Sequence, residues 1–293
     1  MYKFKQKLKK IPYVTKVKRV LENFLFKNVT SNLLSQIKDL LLLEDFENRK
    51  LTFKNPLNRY GRKCFSQADE DGITLEIINR LNIDKGFYIE YGVGDGLENN
   101  TLVLATLGWK GFWVGGEDLA FEVTANKEKF SYLKCWIDLK NIVDITNSHL
   151  IQLSTKEVDL ISIDLDGNDF YFVEELLKSG INPKVFIIEY NAKFPPPIKF
   201  KIDYDEKHRW SDDDYFGASL QSFDDLMRSH QYSLVCCNYL TGSNAFYIKN
   251  NYLEFFSDVP KNIKDIYMPP KYYLLDRFGH AKSSKVVEKI INQ

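Results

Sequence analysis

The chain has 293 residues, of which 44% are hydrophobic, so it can bury the core of one large domain and carry an extension. Its 40 basic and 40 acidic residues cancel, which excludes the broad positive field of a nucleic-acid-binding protein. Its four cysteines lack metal-ligand spacing and no apolar run is as long as a membrane span, so we expect a reduced, cytoplasmic protein.

Residues 1–60 are predicted to form a basic helical arm. Apolar residues recur there at helical spacing, and residues 1–20 hold eight lysines or arginines and no acid. Pro12 should divide the arm, and a further helix is predicted over residues 31–46. Three interpretations stay open: the arm packs on the domain or on a second subunit of a homo-oligomer, it lies on an anionic membrane at its inner face, or it holds an acidic partner.

From residue 86 onwards, strands and helices alternate in the order typical of a parallel sheet covered by helices. Two strands at 232–237 and 245–249 flank a turn and predict a closing antiparallel hairpin. The α/β domain is therefore placed at residues 61–250, with an appendage at 251–293. The other strands are predicted over residues 86–91, 111–114, 132–137, 159–163 and 185–190, and the helices over 98–107, 119–130, 170–179 and 218–229.

The first strand runs into a turn with a glycine at every second position. A dinucleotide site would need a third fingerprint glycine at position 97, where this chain has Leu97. The turn therefore favours S-adenosylmethionine over NAD, and Glu90 at the end of the strand suits the ammonium group of that cofactor. The candidate cofactor-binding residues of this turn are Glu90, Gly92, Gly94, Asp95 and Gly96.

Acids also follow the second and third strands. Glu117 or Asp118 could accept the two ribose hydroxyls of a nucleoside, and Asp138 could pair with an adenine amino group. Each of these acids alone is more simply a solvated loop residue or a helix cap. Acids at three successive strand ends, together with the glycine turn, predict a nucleoside ligand.

The fourth and fifth strands end in a second set of polar residues, Asp164, Asp166, Glu189 and Asn191. Like charges that share one crevice need a cation or a proton between them. Either Asp164, Glu189 and Asn191 bind a divalent ion such as Mg or Mn, or one acid keeps a raised pKa and acts as a general base. Asp166 and Glu189 are the catalytic candidates, and Asp164 is also a candidate for cofactor binding.

His208 lies in a long loop, residues 192–216, which is aromatic and charged and is expected to cover the crevice. Histidine has a near-neutral pKa that suits removal of a hydroxyl proton, so His208 is the third catalytic candidate. A solvated loop histidine is the alternative. Asn168 and Asp169 are predicted to cap the helix that follows the fourth strand.

Six segments within residues 66–249 together resemble the FkbM-like, S-adenosylmethionine-dependent O-methyltransferases. The segments are residues 66–72, 90–101, 160–169, 188–191, 215–220 and 242–246. The resemblance implies a class I methyltransferase, Rossmann-like α/β fold, in which a seven-stranded, mostly parallel sheet has an antiparallel last strand. The residues that match the family motifs are Glu90, Gly92, Gly94 and Asp95 in the cofactor loop, Glu117 as the ribose acid, and Asp164, Asp166, Glu189 and Asn191 in the crevice.

The resemblance also implies methyl transfer to a hydroxyl of a sugar, a nucleotide sugar or a surface-polysaccharide precursor, and a divalent ion is frequent in related enzymes. Sugar O-methylation is therefore the leading hypothesis, with a sugar or glycan as substrate and no nucleic acid as partner. A nucleic-acid methyltransferase helped by the basic arm is the second hypothesis, but no Asn-Pro-Pro-Tyr-type motif follows the fourth strand. A non-catalytic scaffold is the third, and the acids at the strand ends argue against it.

Overall fold

The computed structural model describes residues 33–34, 36–37, 40–124, 126–155, 157–271 and 280–292. The chain divides into two compact units, Met1–Arg49 and Lys50–Gln293. In the first unit residues 40–49 are helical, so the helix predicted over 31–46 ends three residues later than expected. The first part of the predicted arm, residues 1–32, lies outside the described residues. No described helix combines the length and the apolar composition needed to cross a membrane.

The second unit is built on one seven-stranded sheet with the strand order β3-β2-β1-β4-β5-β7-β6. Strands β1 to β5 pair in parallel, and β7 is antiparallel to both β5 and β6. The α/β fold with a mostly parallel sheet and an antiparallel last strand is thereby confirmed. The strands are β1 (Phe87–Tyr91), β2 (Lys110–Gly115), β3 (Phe130–Lys134), β4 (Leu160–Ile163), β5 (Val185–Glu189), β6 (Tyr232–Cys237) and β7 (Asn244–Lys249).

The core lies on both faces of the central strands. Every residue of β1 is buried, and Ile89 lies between Phe112 of β2 and Ile161 of β4. A strand that is buried on both faces reads as a continuous apolar run, and this is why β1 could be located from the sequence. Each fully buried aliphatic or aromatic side chain contributes about 1.5–3 kcal/mol of transfer free energy to this core.

Helices connect the strands and supply the rest of the core. The helix Leu220–Ser229 shows how capping and apolar spacing form such a helix. Ser219 accepts a hydrogen bond from the Ser222 amide at its start, and Phe223 and Met227 are buried one turn apart. The helices are α1 (Glu70–Arg80), α2 (Leu102–Thr106), α3 (Ile142–Gln152), α4 (Asp169–Lys178), α5 (Leu220–Ser229), α6 (Ile263–Ile266) and α7 (Ser284–Ile291), with 3₁₀ helices at Lys50–Thr52, Pro56–Tyr60 and Asn250–Phe256.

The helix predicted between the second and third strands is wrong. Residues 116–124 and 126–129 contain no helix, and β3 begins at Phe130, two residues before the predicted strand. A β-carbon at Gly96 would lie 2.7 Å from Leu119 Cδ2 and 3.0 Å from Phe121 Cε1, so both side chains lie against the glycine turn. This tertiary contact outweighs the local helix propensity of the segment.

The strand order reverses between β1 and β4, with β2 and β3 on one side and β5, β7 and β6 on the other. Open α/β sheets bind ligands outside the carboxyl ends of the strands at such a point. Backbone hydrogen bonds join the end of β1 to both of its neighbours there. The Asp164 amide, just after β4, donates to Tyr91 O of β1 at 3.1 Å, and the Gly92 amide, just after β1, donates to Val114 O of β2 at 2.9 Å. The glycine turn and the acidic loop after β4 therefore meet at one crevice.

Candidate active site

Three acids, Asp164, Asp166 and Glu189, converge at the carboxyl ends of β4 and β5; we call them the crevice acids. They offer carboxylate oxygens that all lie within 4.8 Å of one another. The convergence follows from the parallel register, which pairs Ile163 of β4 with Ile188 of β5 just before the acids begin. The sequence-based expectation that these three side chains meet is therefore matched by their placement.

The electrostatics of the crevice acids are unfavourable for three full charges. Burial, followed by repulsion from Asp166 and Asp169, raises the pKa of Asp164 well above its usual range. Burial and repulsion from Asp164 do the same to the pKa of Glu189. Two neighbouring carboxylates repel each other when both are ionised, so a proton or a cation between Asp164 and Glu189 would relieve the repulsion. Burial, then Asp212, also raises the pKa of Asp166.

The donor set of the crevice acids fits a hard divalent cation. Glu189 Oε2 is buried and accepts no hydrogen bond from any donor of the described residues, which leaves a lone-pair site directed at no protein group. Mg²⁺ and Mn²⁺ prefer carboxylate oxygens of this kind. A cation would also remove the repulsion that raises the three pKa values.

The side chain of Asn191 makes hydrogen bonds that hold a loop in place. Its Oδ1 accepts from the Lys193 amide at 3.2 Å, and its Nδ2 donates to the carbonyl oxygens of Asp214 and Phe216, each at 3.1 Å. The side chain thereby fastens the start of the long loop after β5 to the end of that loop. Its role as a metal ligand stays a prediction, and its amide oxygen already has a partner.

The loop of residues 192–217, which we call the covering loop, brings His208 beside the crevice acids. A β-carbon at Gly167 would lie 2.5 Å from His208 Cδ2, so the imidazole lies on the backbone of the loop after β4. The side chain of Asn168 holds this arrangement, because its Nδ2 donates to Asp205 O at 2.7 Å. Asn168 occupies the N-cap position of α4 but makes no side-chain capping bond there, whereas Asp169 accepts from the amides of Leu165 and Gly167 just before the helix.

The protonation state of His208 suits a base. Burial, and then the positive charge of Lys285, lowers its pKa, so the ring is neutral at neutral pH. Nε2 of His208 is buried and has no hydrogen-bond partner among the described residues. This nitrogen is therefore open to accept a proton from a ligand.

Glu90 organises the glycine turn. Its Oε1 accepts from the Asn100 amide at 2.8 Å, and its Oε2 accepts from the amide and the hydroxyl of Thr101 at 3.0 and 2.5 Å. Burial raises the pKa of Glu90 to about 7 although these donors oppose the shift. Both oxygens thus hold the chain where α2 begins, and a direct contact between Glu90 and a ligand ammonium stays a prediction.

The three glycines of the turn differ in what they permit. Gly92 has a φ of 92°, and a β-carbon there would lie 1.6 Å from Asp164 O, so only glycine allows the two strand ends to approach. Gly94 faces open space, and Gly96 lies under Leu119. Asp95 is committed to the turn itself, because its Oδ1 accepts from the Leu97 amide at 3.1 Å.

The acids after β2 and β3 differ in whether their carboxylates already have a partner in the protein. Asp118 pairs with Lys134 at 2.7 Å, whereas Glu117 is exposed and has no ion pair among the described residues. Of the two, Glu117 therefore keeps a carboxylate open to a ribose. Asp138 accepts from the amides of Lys140 and Asn141 at 2.8 and 3.0 Å, which is the helix-capping alternative, at the start of α3.

A cavity of about 80 Å³ lies between the strand ends that carry these acids and the residues around His208. It lies between the ends of β2 and β3 and the loop after β4, and its wall includes Gly116, Trp136, Phe172 and His208. Trp136 and Phe172 were not among the sequence-based candidates, because an aromatic residue near a strand end carries no signal that separates a binding wall from core. A larger cavity of about 370 Å³ lies beside β3 and is lined by Leu119, Phe121, Phe130 and Tyr132, none of which is a crevice acid.

No family model matches the chain, and no curated protein matches it. Two of the solved structures that match the chain show a low level of similarity. A chain of the fibrillarin/Nop5p complex is 12% identical with a TM-score of 0.33, and the match covers 56% of this chain and 72% of that chain. A putative hemolysin from Streptococcus thermophilus is 13% identical with a TM-score of 0.38, over 70% of this chain and 74% of that chain. Because both scores are low, the function has to follow from the residues of the site.

Proposed function

We propose that the chain is an S-adenosylmethionine-dependent O-methyltransferase that acts on a hydroxyl of a sugar, nucleotide sugar or polysaccharide precursor. The observation that carries the proposal is the contact between Gly92 and Asp164, which joins the glycine turn to the crevice acids at the point where the strand order reverses. A methyl donor at the turn and an acceptor hydroxyl at the acids would then be neighbours. Positioning of this kind supplies much of the rate in a displacement reaction.

Two features beside the glycine turn support binding of the cofactor, which would supply an electrophilic methyl group. The free carboxylate of Glu117 and the side-chain-free backbone of Gly116 lie on the nucleoside side, next to the cavity walled by Trp136. The backbone of Gly94 is open on the other side. Leu119 and Phe121 cover Gly96, so the loop after β2 has to shift where the cofactor would lie over that residue.

The acceptor hydroxyl has to lose a proton, and three groups of the chain can take it. His208 Nε2 is unpaired among the described residues, and the raised pKa values of Asp166 and Glu189 mean that either carboxylate, when ionised, binds a proton more tightly than an unperturbed acid does. The three groups surround the loop after β4, so a hydroxyl that lies there is within reach of a base. If a divalent ion binds, the crevice acids would hold it, and it would lower the pKa of the acceptor hydroxyl.

The experiment has a binding arm and a turnover arm. Calorimetry with S-adenosylhomocysteine tests the cofactor site, and labelled S-adenosylmethionine with a panel of nucleotide sugars, with Mg²⁺, Mn²⁺ or a chelator, tests transfer. We expect binding, and transfer that falls at least a hundredfold in Asp166→Asn. Asp118→Asn is the matched control, because this carboxylate lies at the same sheet edge but is 88% exposed and paired with Lys134. No cofactor binding by the wild type would contradict the proposal.

A further inference from the structure

The C-terminal segment of residues 280–292 is fastened to the covering loop. The Asp214 amide donates to Ala281 O at 2.9 Å, and the Ser283 amide donates to Asp214 Oδ1 at 2.8 Å. The His280 ring lies edge-on against Trp210, with centroids 5.0 Å apart. The appendage predicted at residues 251–293 therefore ends on the loop that carries His208.

This attachment places Lys285 at the edge of the candidate site. Its Nζ lies 5.2 Å from the centroid of the Tyr215 ring, and that ring lies 6.2 Å from the ring of His208. The positive charge is close enough to contribute to the lowered pKa of His208. Lys285, Tyr215 and His208 thus form a continuous row that leads from the protein surface to the crevice acids.

Around the covering loop, Lys201, Lys207 and Lys285 have no ion pair among the described residues, and of these three Lys285 lies over the Tyr215 ring beside His208. The other cations there are engaged. Lys193 pairs with Asp214, Lys289 pairs with Asp203 at 2.5 Å, and Arg209 stacks on Trp136 at 4.7 Å. Lys285 is exposed, and no carboxylate of the described residues lies within ion-pair distance of it. It is a cation held in place by an aromatic ring and left without a counter-ion.

The site therefore has opposite charges at its two ends. The crevice acids, with Asp212 close enough to raise the pKa of Asp166, form the negative end. An acceptor that carries its own negative charge is repelled from that end, whereas its hydroxyls are good partners for carboxylates. Such an acceptor can lie across the site in one direction only, with its charge at Lys285.

We propose that Lys285 binds an anionic oxygen group of the acceptor, a phosphate or a carboxylate, and so directs the acceptor hydroxyl toward the crevice acids. This deepens the function proposed above and rests on it. Lys285 is a positioning residue, because it lies at the far end of the row from the reacting atoms. The substrate class it selects is a negatively charged sugar, such as a nucleotide sugar or a uronic acid, over a neutral glycoside.

The test compares Lys285→Ala, Lys285→Glu and Lys285→Arg with Lys282→Ala, a matched control because Lys282 is exposed in the same segment and makes no ion pair or ring contact among the described residues. Three acceptors are used: a nucleotide sugar, a uronic acid and a neutral methyl glycoside. For the nucleotide sugar or the uronic acid we expect Lys285→Ala to raise KM about tenfold with kcat changed less than twofold. Lys285→Glu should raise KM further, and Lys285→Arg should keep KM near the wild-type value.

The neutral glycoside should show no change in any variant, and the charged acceptor that responds identifies the anionic group. Equal changes of KM for charged and neutral acceptors, or no change in either, would overturn the inference. Calorimetry with the nucleotide sugar and the uronic acid tests the anion site at Lys285 separately from methyl transfer, because binding needs no turnover. Binding that is about tenfold weaker in Lys285→Ala supports the anion site even if no methyl transfer occurs, whereas wild-type protein that binds neither anion overturns it.

Discussion

Two clusters of acids lie in this molecule, one buried and one partly exposed, and they are satisfied in opposite ways. The anchored acids, as we call Asp69, Glu70 and Asp71, are all fully buried at the start of α1. Asp71 Oδ2 alone accepts from the amides of residues 64, 65 and 66 at 2.7, 2.6 and 2.8 Å, and Asp69 accepts from the amides of residues 239 and 240, each at 2.9 Å. The chain supplies donors to these carboxylates.

The crevice acids have no comparable donors. Their oxygens face one another, and Glu189 Oε2 is buried without a partner among the described residues. A raised pKa does not separate the two clusters, because burial also raises the pKa of Glu70 to about 7. An unpartnered oxygen does not separate them either, because Asp71 Oδ1 is also buried without a partner among the described residues. The donors do separate them, since every anchored acid accepts several hydrogen bonds and no crevice acid accepts one from a described residue outside its cluster. This indicates that the anchored acids stabilise the fold while the crevice acids are available to a ligand.

The largest change in the free energy of unfolding should come from the anchored acids. Asp71→Ala leaves the buried amide and hydroxyl of Ser66, and the partly buried amides of residues 64 and 65, without their acceptor, and we expect a loss of about 3–5 kcal/mol. Urea denaturation measures it. Asp118→Ala, which removes an exposed carboxylate, is the control and should change stability by about 0.5 kcal/mol or less. A similar small effect of Asp71→Ala would remove the distinction between the clusters.

A divalent ion should stabilise the fold through the crevice acids only. At a concentration about a hundred times its dissociation constant, Mg²⁺ or Mn²⁺ should add about 2.7 kcal/mol, seen as a chelator-reversible rise in Tm. Asp164→Asn and Glu189→Gln should abolish the rise, whereas Asp118→Asn should keep it. A rise that persists in both crevice variants would place the ion elsewhere.

Neutralising one crevice acid should raise stability and lower activity together. Glu189→Gln keeps the side-chain volume, removes a repelling charge from Asp164 and can donate a hydrogen bond to it, so we expect a gain of about 1–2 kcal/mol. Methyl transfer should fall about a hundredfold or more. Denaturation and turnover measured on the same preparation check the pair of effects, and a loss of stability would show that Glu189 supports the fold.

Stability should also depend on pH through two buried glutamates, Glu70 and Glu90, by a small amount at each step of pH. The pKa of Glu70 and that of Glu90 are about 7 in the folded chain, above the value of 4.5 for an unperturbed glutamate. Between these values the folded state holds the extra proton, so stability falls as pH rises, by about 1.4 kcal/mol per pH unit for each group. Glu90→Gln should remove one group's share of the slope between about pH 5 and pH 7, measured by urea denaturation. An unchanged slope would mean that Glu90 is ionised throughout.

The sequence predicted the crevice better than its surroundings. Asp164 and Glu189 could be brought together from the sequence, because parallel strands with apolar runs end at the same edge. The segment 116–129 could not be placed, since its helix-forming composition is overruled by the contact of Leu119 with Gly96.

The anchored acids could not be recognised for a similar reason. The donors of Asp69 lie about 170 positions away, on the turn between β6 and β7. His208 was a candidate by residue type, but its position over Gly167 depends on an irregular loop without periodicity. Contacts of this range leave no local pattern in the chain.

Asp166 has a backbone φ of 52°, a left-handed conformation that glycine adopts more readily than aspartate. Glycine at this position would relieve both the backbone conformation and the repulsion from the neighbouring carboxylates. A library of variants selected only for survival of heating should therefore become enriched in glycine at position 166, and the same selection should discard the chemistry. Laboratory evolution toward heat resistance, followed by sequencing of the survivors, would thus mark the site by the residues that it eliminates.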